Sequence, residues 1–249
     1  MKTFAALLFV FLLPDAASAD GLSDLRTTLT KLTSAQPLSA QVEINTRSAG
    51  GESDKQKKAA GVSTVLVRLG PAGMALSWTP EQIRQSRRAA AEKIANPDAP
   101  KSNLATLAAL DAGEALNLLD AAEPLRLSLD KATLIEDKTL TYRGQPAHRL
   151  FVQLDLKLPE EGRKAAKSVS ANLTLWVGAD GVPLAADRDL RIRFSKFFLS
   201  YNVREHAVRE YQIAAGHLIV THTVQESYGS GLGHVEESHS TISLKLLPD

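Results

Sequence analysis

The chain has 249 residues, of which 44% are hydrophobic and 23% charged, and its 29 lysines and arginines nearly balance its 28 aspartates and glutamates. This is the composition of a globular protein, and the small net charge gives no reason to expect nucleic acid as a partner. Because the sequence contains no cysteine, disulfides, thiolate metal sites, a cysteine nucleophile and a lipid-modified N-terminal cysteine are excluded.

Residues 1–19 have the pattern of a secretory signal peptide. Lys2 precedes an apolar run at 4–13, and an Ala-Ser-Ala motif stands directly before Asp20. A membrane anchor is the alternative, but a run of this length is only about half of what crosses a bilayer. We therefore predict cleavage before Asp20 and a single mature domain at 20–249, located in a bacterial periplasm.

A helix and three strands are predicted at the start of the mature domain. Leucines three or four positions apart predict a helix at 22–32, and apolar residues at every second position of 40–44 predict a strand. The polar, glycine-containing stretch at 48–61 predicts a mobile surface loop. Two further strands are expected at 62–69 and 74–78.

A helical insertion at about 80–122 is predicted between these strands and the rest of the sheet. Pro80 follows a threonine, which is the pattern of a helix start. A leucine repeat that begins at Leu104 predicts two further short helices, the second with Asp111 as its N-cap. Pro124 is expected to end the helical segment.

The remainder of the chain is predicted to form an antiparallel sheet. Apolar residues alternate with polar ones from Leu127 and Leu129 onwards. The later segments with this alternation are 148–156, 173–177, 190–198, 218–224 and 242–246. Strands that are apolar on one side and joined by short turns indicate a sheet with one buried face and one face in water.

Four of the six histidines lie near the C-terminus and raise the question of a metal site. If the strand at 218–224 pairs regularly with that at 242–246, His222 points towards the core and His239 towards solvent, so the two cannot bind one ion. A bulge in either strand would reverse the face on which one of the two histidines lies. Solvated histidines are the favoured interpretation, and no metal site is predicted.

The sequence lacks the motifs that carry common catalytic chemistry. It contains no Gly-x-Ser-x-Gly elbow, no His-Glu-x-x-His motif, and no phosphate-binding or dinucleotide-binding fingerprint. The adjacent carboxylates of Glu160–Glu161 and Glu236–Glu237 point in different directions in regular structure. We therefore predict a protein that is not an enzyme, with no catalytic residues and no cofactor.

A cationic patch is predicted on the first helix of the insertion. Arg84, Arg87 and Arg88 are spaced to share one helix face. A second basic cluster, Lys55, Lys57 and Lys58, lies in the polar stretch at 48–61. Either cluster contacts anionic lipid headgroups or a partner, or is simply solvated, the commoner role of a charged face.

The apolar face of the sheet and the leucine-rich insertion must pack on each other. A tight fit produces an ordinary core, whereas a loose fit leaves a cavity for acyl chains. The residues that we expect to line such a ligand cavity are Trp78, Leu150, Leu154, Phe194 and Phe198.

The order of these parts resembles that of the periplasmic lipoprotein-carrier (LolA/LolB-like) superfamily. The local likeness is best at 141–189, where Tyr-Arg-Gly-Gln-Pro-Ala-His-Arg-Leu at 142–150 resembles a turn that enters a strand. Leu-Trp-Val-Gly-Ala-Asp-Gly-Val-Pro-Leu at 175–184 resembles a hairpin common in these folds. The resemblance implies an incomplete, strongly curved antiparallel barrel with helices over its concave side and the capacity to bind lipid.

Two functional hypotheses follow for an α+β protein whose sheet is a curved antiparallel half-barrel with helices covering the concave face. The first is a soluble periplasmic binding protein that holds a lipid, a lipidated protein or another long apolar ligand. The alternative is a cell-envelope protein-interaction module with a solid core and no ligand cavity. An enzyme is a third, less favoured class.

Overall fold

The structure is a computed structural model, and it describes residues 21–52, 55–96, 110–196 and 199–248. Within these ranges the chain forms ten strands and five helices. The helices are α1 (Gly21–Lys31), α2 (Pro80–Ala95), α3 (Ala112–Leu119), α4 (Ala122–Leu129) and α5 (Glu160–Ala165). The strands are β1 (Leu38–Glu52), β2 (Lys57–Gly70), β3 (Gly73–Ser77), β4 (Thr133–Tyr142), β5 (Gln145–Gln153), β6 (Ala166–Gly178), β7 (Pro183–Lys196), β8 (Leu199–Ala214), β9 (His217–Gly231) and β10 (His234–Leu246).

All ten strands belong to one sheet in the order β3-β2-β1-β10-β9-β8-β7-β6-β5-β4. Every neighbouring pair is antiparallel. The sheet is not closed, because β3 and β4 stand at its two edges. The predicted α+β class with an antiparallel sheet is therefore confirmed, and β10 returns at the end of the chain to pair with β1.

The buried face of the sheet carries the alternating apolar residues that the sequence predicts. Val42 and Ile44 of β1 are 0% and 1% exposed, and they lie in one cluster with strand residues from β2, β5, β6, β9 and β10. Helices α1, α3 and α4 contribute leucines to the same cluster. Each such side chain stabilises the fold by about 1.5–3 kcal/mol when it leaves water.

The surface loop predicted at 48–61 is wrong over most of its length. Strand β1 continues to Glu52, and β2 already begins at Lys57. Ser48 pairs with Ala59 on one side and with a β10 residue on the other. Because β1 lies between two partners, its backbone groups are satisfied on both sides, and this outweighs the weak strand preference of glycine and lysine.

The strand predicted at Leu127 and Leu129 is also wrong, since both residues belong to helix α4. Pro124 does not end the helical segment, because it lies in the first turn of α4, where a backbone N–H is not needed. Leu125 and Leu129, four positions apart, are buried, and Leu127 is 58% exposed. Leucines at 125, 127 and 129 are compatible with the two-residue period of a strand, and the first and last of them also with the helical period. The helix forms because it buries Leu125 and Leu129 on one face.

The two predicted helix starts agree with the structure. Thr79 caps α2 through a capping box, and Asp111 caps α3 by accepting a hydrogen bond from the backbone of Glu114 at 2.7 Å. The signal peptide and the helix expected from Leu104 lie outside the described residues, although Leu110 is described and buried. Among the described helices, none is long and apolar enough to cross a membrane.

Candidate binding site

The sheet carries a recess with a volume of about 1340 Å³. Seven neighbouring strands contribute to its lining, from β2 through β1, β10, β9, β8 and β7 to β6. We call it the charged recess after its ionic lining residues, which are Arg47, Lys58, Arg191, Arg193, Arg204, Glu226 and Glu237. Sites for small molecules usually measure about 300–1,000 Å³, so a large ligand fits here.

The charged recess lies on the face of the sheet opposite the buried face. Arg47 pairs with His239, His239 with Glu226, and Glu226 with His206. Directly paired residues of an antiparallel sheet have side chains on the same face. In β1, Arg47 is an odd-numbered position, whereas the core residue Ile44 is even-numbered, so the two side chains leave the strand in opposite directions. We call this side the open face.

Most cations of the recess form no ion pair with a described residue, although the charge of Arg204 helps to lower the pKa of the Asp189 carboxyl. Arg47, Lys58, Arg193 and Arg204 are exposed, and none of them forms an ion pair with a described residue. The other cation, Arg191, lies 2.6 Å from Asp189 on its own strand. The Arg191 guanidinium holds the pKa of the Asp189 carboxyl below its usual range. The recess therefore presents excess positive charge to a ligand.

The charges of the recess are not mixed evenly. One group of cations stands on β1 and β2, and a second group stands on β7 and β8. Between them, Glu237 and His239 lie on β10, and Glu226 and Tyr228 lie on β9. Glu226 is 3.5 Å from His239. The acidic residues thus occupy the middle of the recess, and the cations occupy its two sides.

A smaller pocket of about 340 Å³ lies between α3 and the sheet. Glu114 and Asn117 line it from α3, and Arg209 and Thr223 line it from β8 and β9. Burial raises the pKa of the Glu114 carboxyl, although the positive charge of Arg209 opposes this effect. The hydroxyl oxygen of Thr223 is buried and has no hydrogen-bond partner among the residues that the structure describes.

Four of the five residues predicted to line a ligand cavity are described, and they are not among the residues that line the charged recess. Leu150 is fully buried, and Trp78 and Leu154 pack around the same core. Phe194 packs, together with Leu154, on a second apolar cluster that includes Ile192. Phe198 lies outside the described residues.

The orientation predicted for His222, towards the core, is wrong, because β8 and β9 pair with a register shift at Glu210 and Tyr211. His222 consequently pairs with Ser243 and lies on the open face, as His239 does. Ser243, the partner of His222, lies four positions from His239 along β10, so the two histidines are separated by about 13 Å in the strand direction. In the described ranges, no group of three or more His, Cys, Asp or Glu side chains is placed to hold a metal ion.

The three arginines of α2 are exposed, as their spacing predicts. Arg84 forms an ion pair with Glu81 of the same helix, and this interaction lowers the pKa of the Glu81 carboxyl. Arg87 and Arg88 form no ion pair with any described residue.

Of the recess cations, sequence reasoning singled out Lys58 as part of a basic cluster, but it did not bring the cations together in one site. The alternation at 190–198 already placed Arg191 and Arg193 on the polar side of a strand, but Arg47 and Lys58 stood at or beside a predicted loop. Only the register of seven strands brings these side chains to one surface. Comparison with known proteins found no matching family model, no matching curated protein and no matching solved structure.

Proposed function

We propose that the protein is a non-enzymatic binding protein of the bacterial periplasm, delivered there by a cleaved signal peptide, and that its ligand is an anionic amphiphile. A lipid or a lipidated protein is the ligand class. The observation that carries this proposal is the charged recess, in which Arg47, Lys58, Arg193 and Arg204 form no ion pair with a described residue.

Unpartnered cations in a concave site favour anions for two reasons. Their fields add in the recess and raise the local concentration of anionic ligands. Arginine also presents several N–H donors in a planar array, which fits the oxygens of a phosphate or a carboxylate. Nucleic acid is not proposed as the ligand, because the chain as a whole has nearly balanced charge.

The breadth of the recess supports a strongly curved sheet with the open face on the inside of the bend. This differs from the half-barrel with helices over its concave side that the resemblance to the lipoprotein-carrier superfamily implies. Strands β2 and β6 are six interstrand spacings apart, or about 29 Å on a flat sheet. A recess in contact with both fits a sheet that bends around it. The ligand is therefore proposed to bind the open face rather than the space between sheet and helices, where Leu25, Leu119 and Leu129 are 0% exposed.

Vesicle binding tests this proposal. The mature protein should bind vesicles of phosphatidylglycerol and should bind those of phosphatidylcholine at least tenfold more weakly. The double variant Arg193→Ser/Arg204→Ser should lose most of the preference. Arg68→Ser is a matched control, because Arg68 is an exposed cation of β2 on the open face but outside the recess.

Native mass spectrometry of protein purified from a bacterial periplasm should show a bound lipid. A clean apo mass, together with equal and weak binding to both kinds of vesicle, would contradict the proposal.

A protein-interaction module is the second proposed function, and the packing of the core favours it. Leucines of α1, α3 and α4 are buried against the sheet, which supports a packed core beside the small pocket between α3 and the sheet. In that case the open face binds an acidic protein surface. Retention of a partner by the wild type but not by Arg193→Ser/Arg204→Ser, with no lipid in the mass spectrum, would favour this function.

Contact with an anionic membrane through Arg84, Arg87 and Arg88 is a further part of the proposal. Their exposure on one face of α2 supports it. Reversal of the three charges to glutamate should weaken binding to phosphatidylglycerol vesicles, and an unchanged affinity would remove this helix from the membrane-binding surface.

A further inference from the structure

The order of charges across the charged recess carries information about the shape of its ligand. The β1–β2 wall consists of Arg47 and Lys58, and the β7–β8 wall consists of Arg193 and Arg204. Strands β10 and β9 lie between the walls. A ligand with a single anionic group reaches only one wall, whereas a ligand with two separated anionic groups reaches both.

The spacing of the walls sets the distance between the two anionic groups. Three interstrand spacings separate β1 from β8, which is about 14 Å along the sheet. Long side chains that lean towards the middle of the recess, and a sheet that bends, would both shorten this distance. Two anionic groups about 8–14 Å apart therefore match the walls, given this strand spacing.

Residues of β9 and β10 in the middle of the recess would contact the part of the ligand that joins its two anionic groups. Glu226 and Glu237 are hydrogen-bond acceptors when ionised, so they repel an anion and accept hydrogen bonds from hydroxyl groups. Tyr228, which is 40% exposed, adds an aromatic ring and a phenolic hydroxyl. Hydroxyl-rich rings donate hydrogen bonds to these carboxylates, whereas a bare hydrocarbon linker offers them no donor.

We propose that the headgroup bound in the charged recess is a saccharide with a phosphate at each end, the class of a bisphosphorylated glycolipid. Each phosphate contacts one cationic wall, and the sugar hydroxyls donate to Glu226 and Glu237. This inference rests on the proposed function, because it assumes that the recess is the ligand site, and it goes further by fixing the number of anionic groups and the chemistry between them.

Titration calorimetry with soluble headgroups tests the two-wall arrangement without the complication of micelles. The probes are a disaccharide with phosphate at both ends, the same disaccharide with one phosphate, and the unphosphorylated disaccharide. The variants are Arg47→Ser/Lys58→Ser for one wall and Arg193→Ser/Arg204→Ser for the other, with Arg68→Ser as the matched control. All five positions are exposed, so circular dichroism should show that every variant folds.

The bisphosphate should bind the wild type at least tenfold more tightly than the monophosphate. Removal of either wall should lower its affinity to that of the monophosphate, and Arg68→Ser should change nothing. A fourth probe, an alkane bisphosphate of similar span, should bind more weakly than the bisphosphorylated disaccharide, and Glu226→Gln/Glu237→Gln should reduce that difference.

Equal affinity for the two phosphorylated disaccharides, or an affinity for the bisphosphate that falls when one wall is removed but not when the other is, would overturn the inference. In that event, retained binding to phosphatidylglycerol vesicles would leave the proposed function intact. Absence of binding to every vesicle and every headgroup would overturn both. Tight binding of the acylated bisphosphate alone would also contradict the inference, since the phosphates and the sugar would then not be the recognised part.

Discussion

The two faces of the sheet are built from the same strands but differ in what their side chains do. In β1, Val42 and Ile44 are buried, while Glu43 and Arg47, on alternate positions, are exposed. The buried face contributes to the free energy of folding because its side chains leave water. The open face carries charges that interact weakly with one another, so they remain available to a ligand. Period-two alternation thus separates stability from binding within single strands.

Because the two faces have different roles, substitutions on them should differ in their effect on the free energy of unfolding. A charge on the open face changes little in the free energy of unfolding, because the exposed side chain keeps its hydration. Replacing a core leucine with a smaller residue lowers the free energy of unfolding, because its neighbours relax only in part around the cavity that is left. Substitutions of both kinds test whether the two faces are as independent as the structure indicates.

The largest effect is expected from Leu129→Ala in α4. Leu129 is 0% exposed, so the substitution should lower the free energy of unfolding by about 2–5 kcal/mol, the usual cost of such a cavity. Urea denaturation measures it. Val62→Ala, at an open-face position that is 64% exposed, is the control and should cost only about 0.5 kcal/mol. Equal losses from both would break the distinction between the faces.

A smaller effect is expected from Asp111→Ala, because it removes the N-cap that holds α3 over the sheet. The lost hydrogen bond to the Glu114 backbone should cost about 1 kcal/mol. Asp111→Asn retains the acceptor oxygen and should stay close to the wild type. If thermal melts show that the alanine and asparagine variants are alike, the cap does not stabilise this helix.

A pH-dependent effect is expected from Glu114→Gln. Burial raises the pKa of the Glu114 carboxyl, so the folded protein binds this proton more tightly than the unfolded chain does. The stability associated with that proton is present below the ordinary glutamate pKa and is lost as the pH rises through the raised pKa of the folded state. The variant should therefore be more stable than the wild type at neutral pH, and denaturation at acid pH should show the difference shrinking. A constant difference at all pH values would contradict the assignment.

The smallest effect on stability is expected from Arg193→Ser, on the open face. Arg193 is exposed and forms no ion pair with a described residue, so the free energy of unfolding should change by less than about 0.5 kcal/mol. Binding to phosphatidylglycerol vesicles should nevertheless fall. A variant that unfolds more easily, with its affinity unchanged, would assign Arg193 to the fold rather than to the site.

Much of the fold was predictable because local patterns and tertiary structure agree there. The leucine stripe of α1, the capping residues Thr79 and Asp111, and the alternation in β6 all correspond to observed elements. Predictions failed where local preference was weak, as in the glycine-rich part of β1, or where two periods fitted equally, as at Leu127. The charged recess could not be predicted, because its cations are far apart in the sequence.

The sequence by itself determined which side of each regular strand is apolar, where most helices begin, and that no cysteine chemistry is available. Those properties depend on residues within a few positions of one another. Only the tertiary structure decided that Arg47 and Lys58 share a recess with Arg193 and Arg204. That placement depends on interstrand register, including a single shift at Glu210 that reverses the direction of His222. Register is fixed by the packing of the whole buried face, so it cannot be predicted from the alternation within one strand.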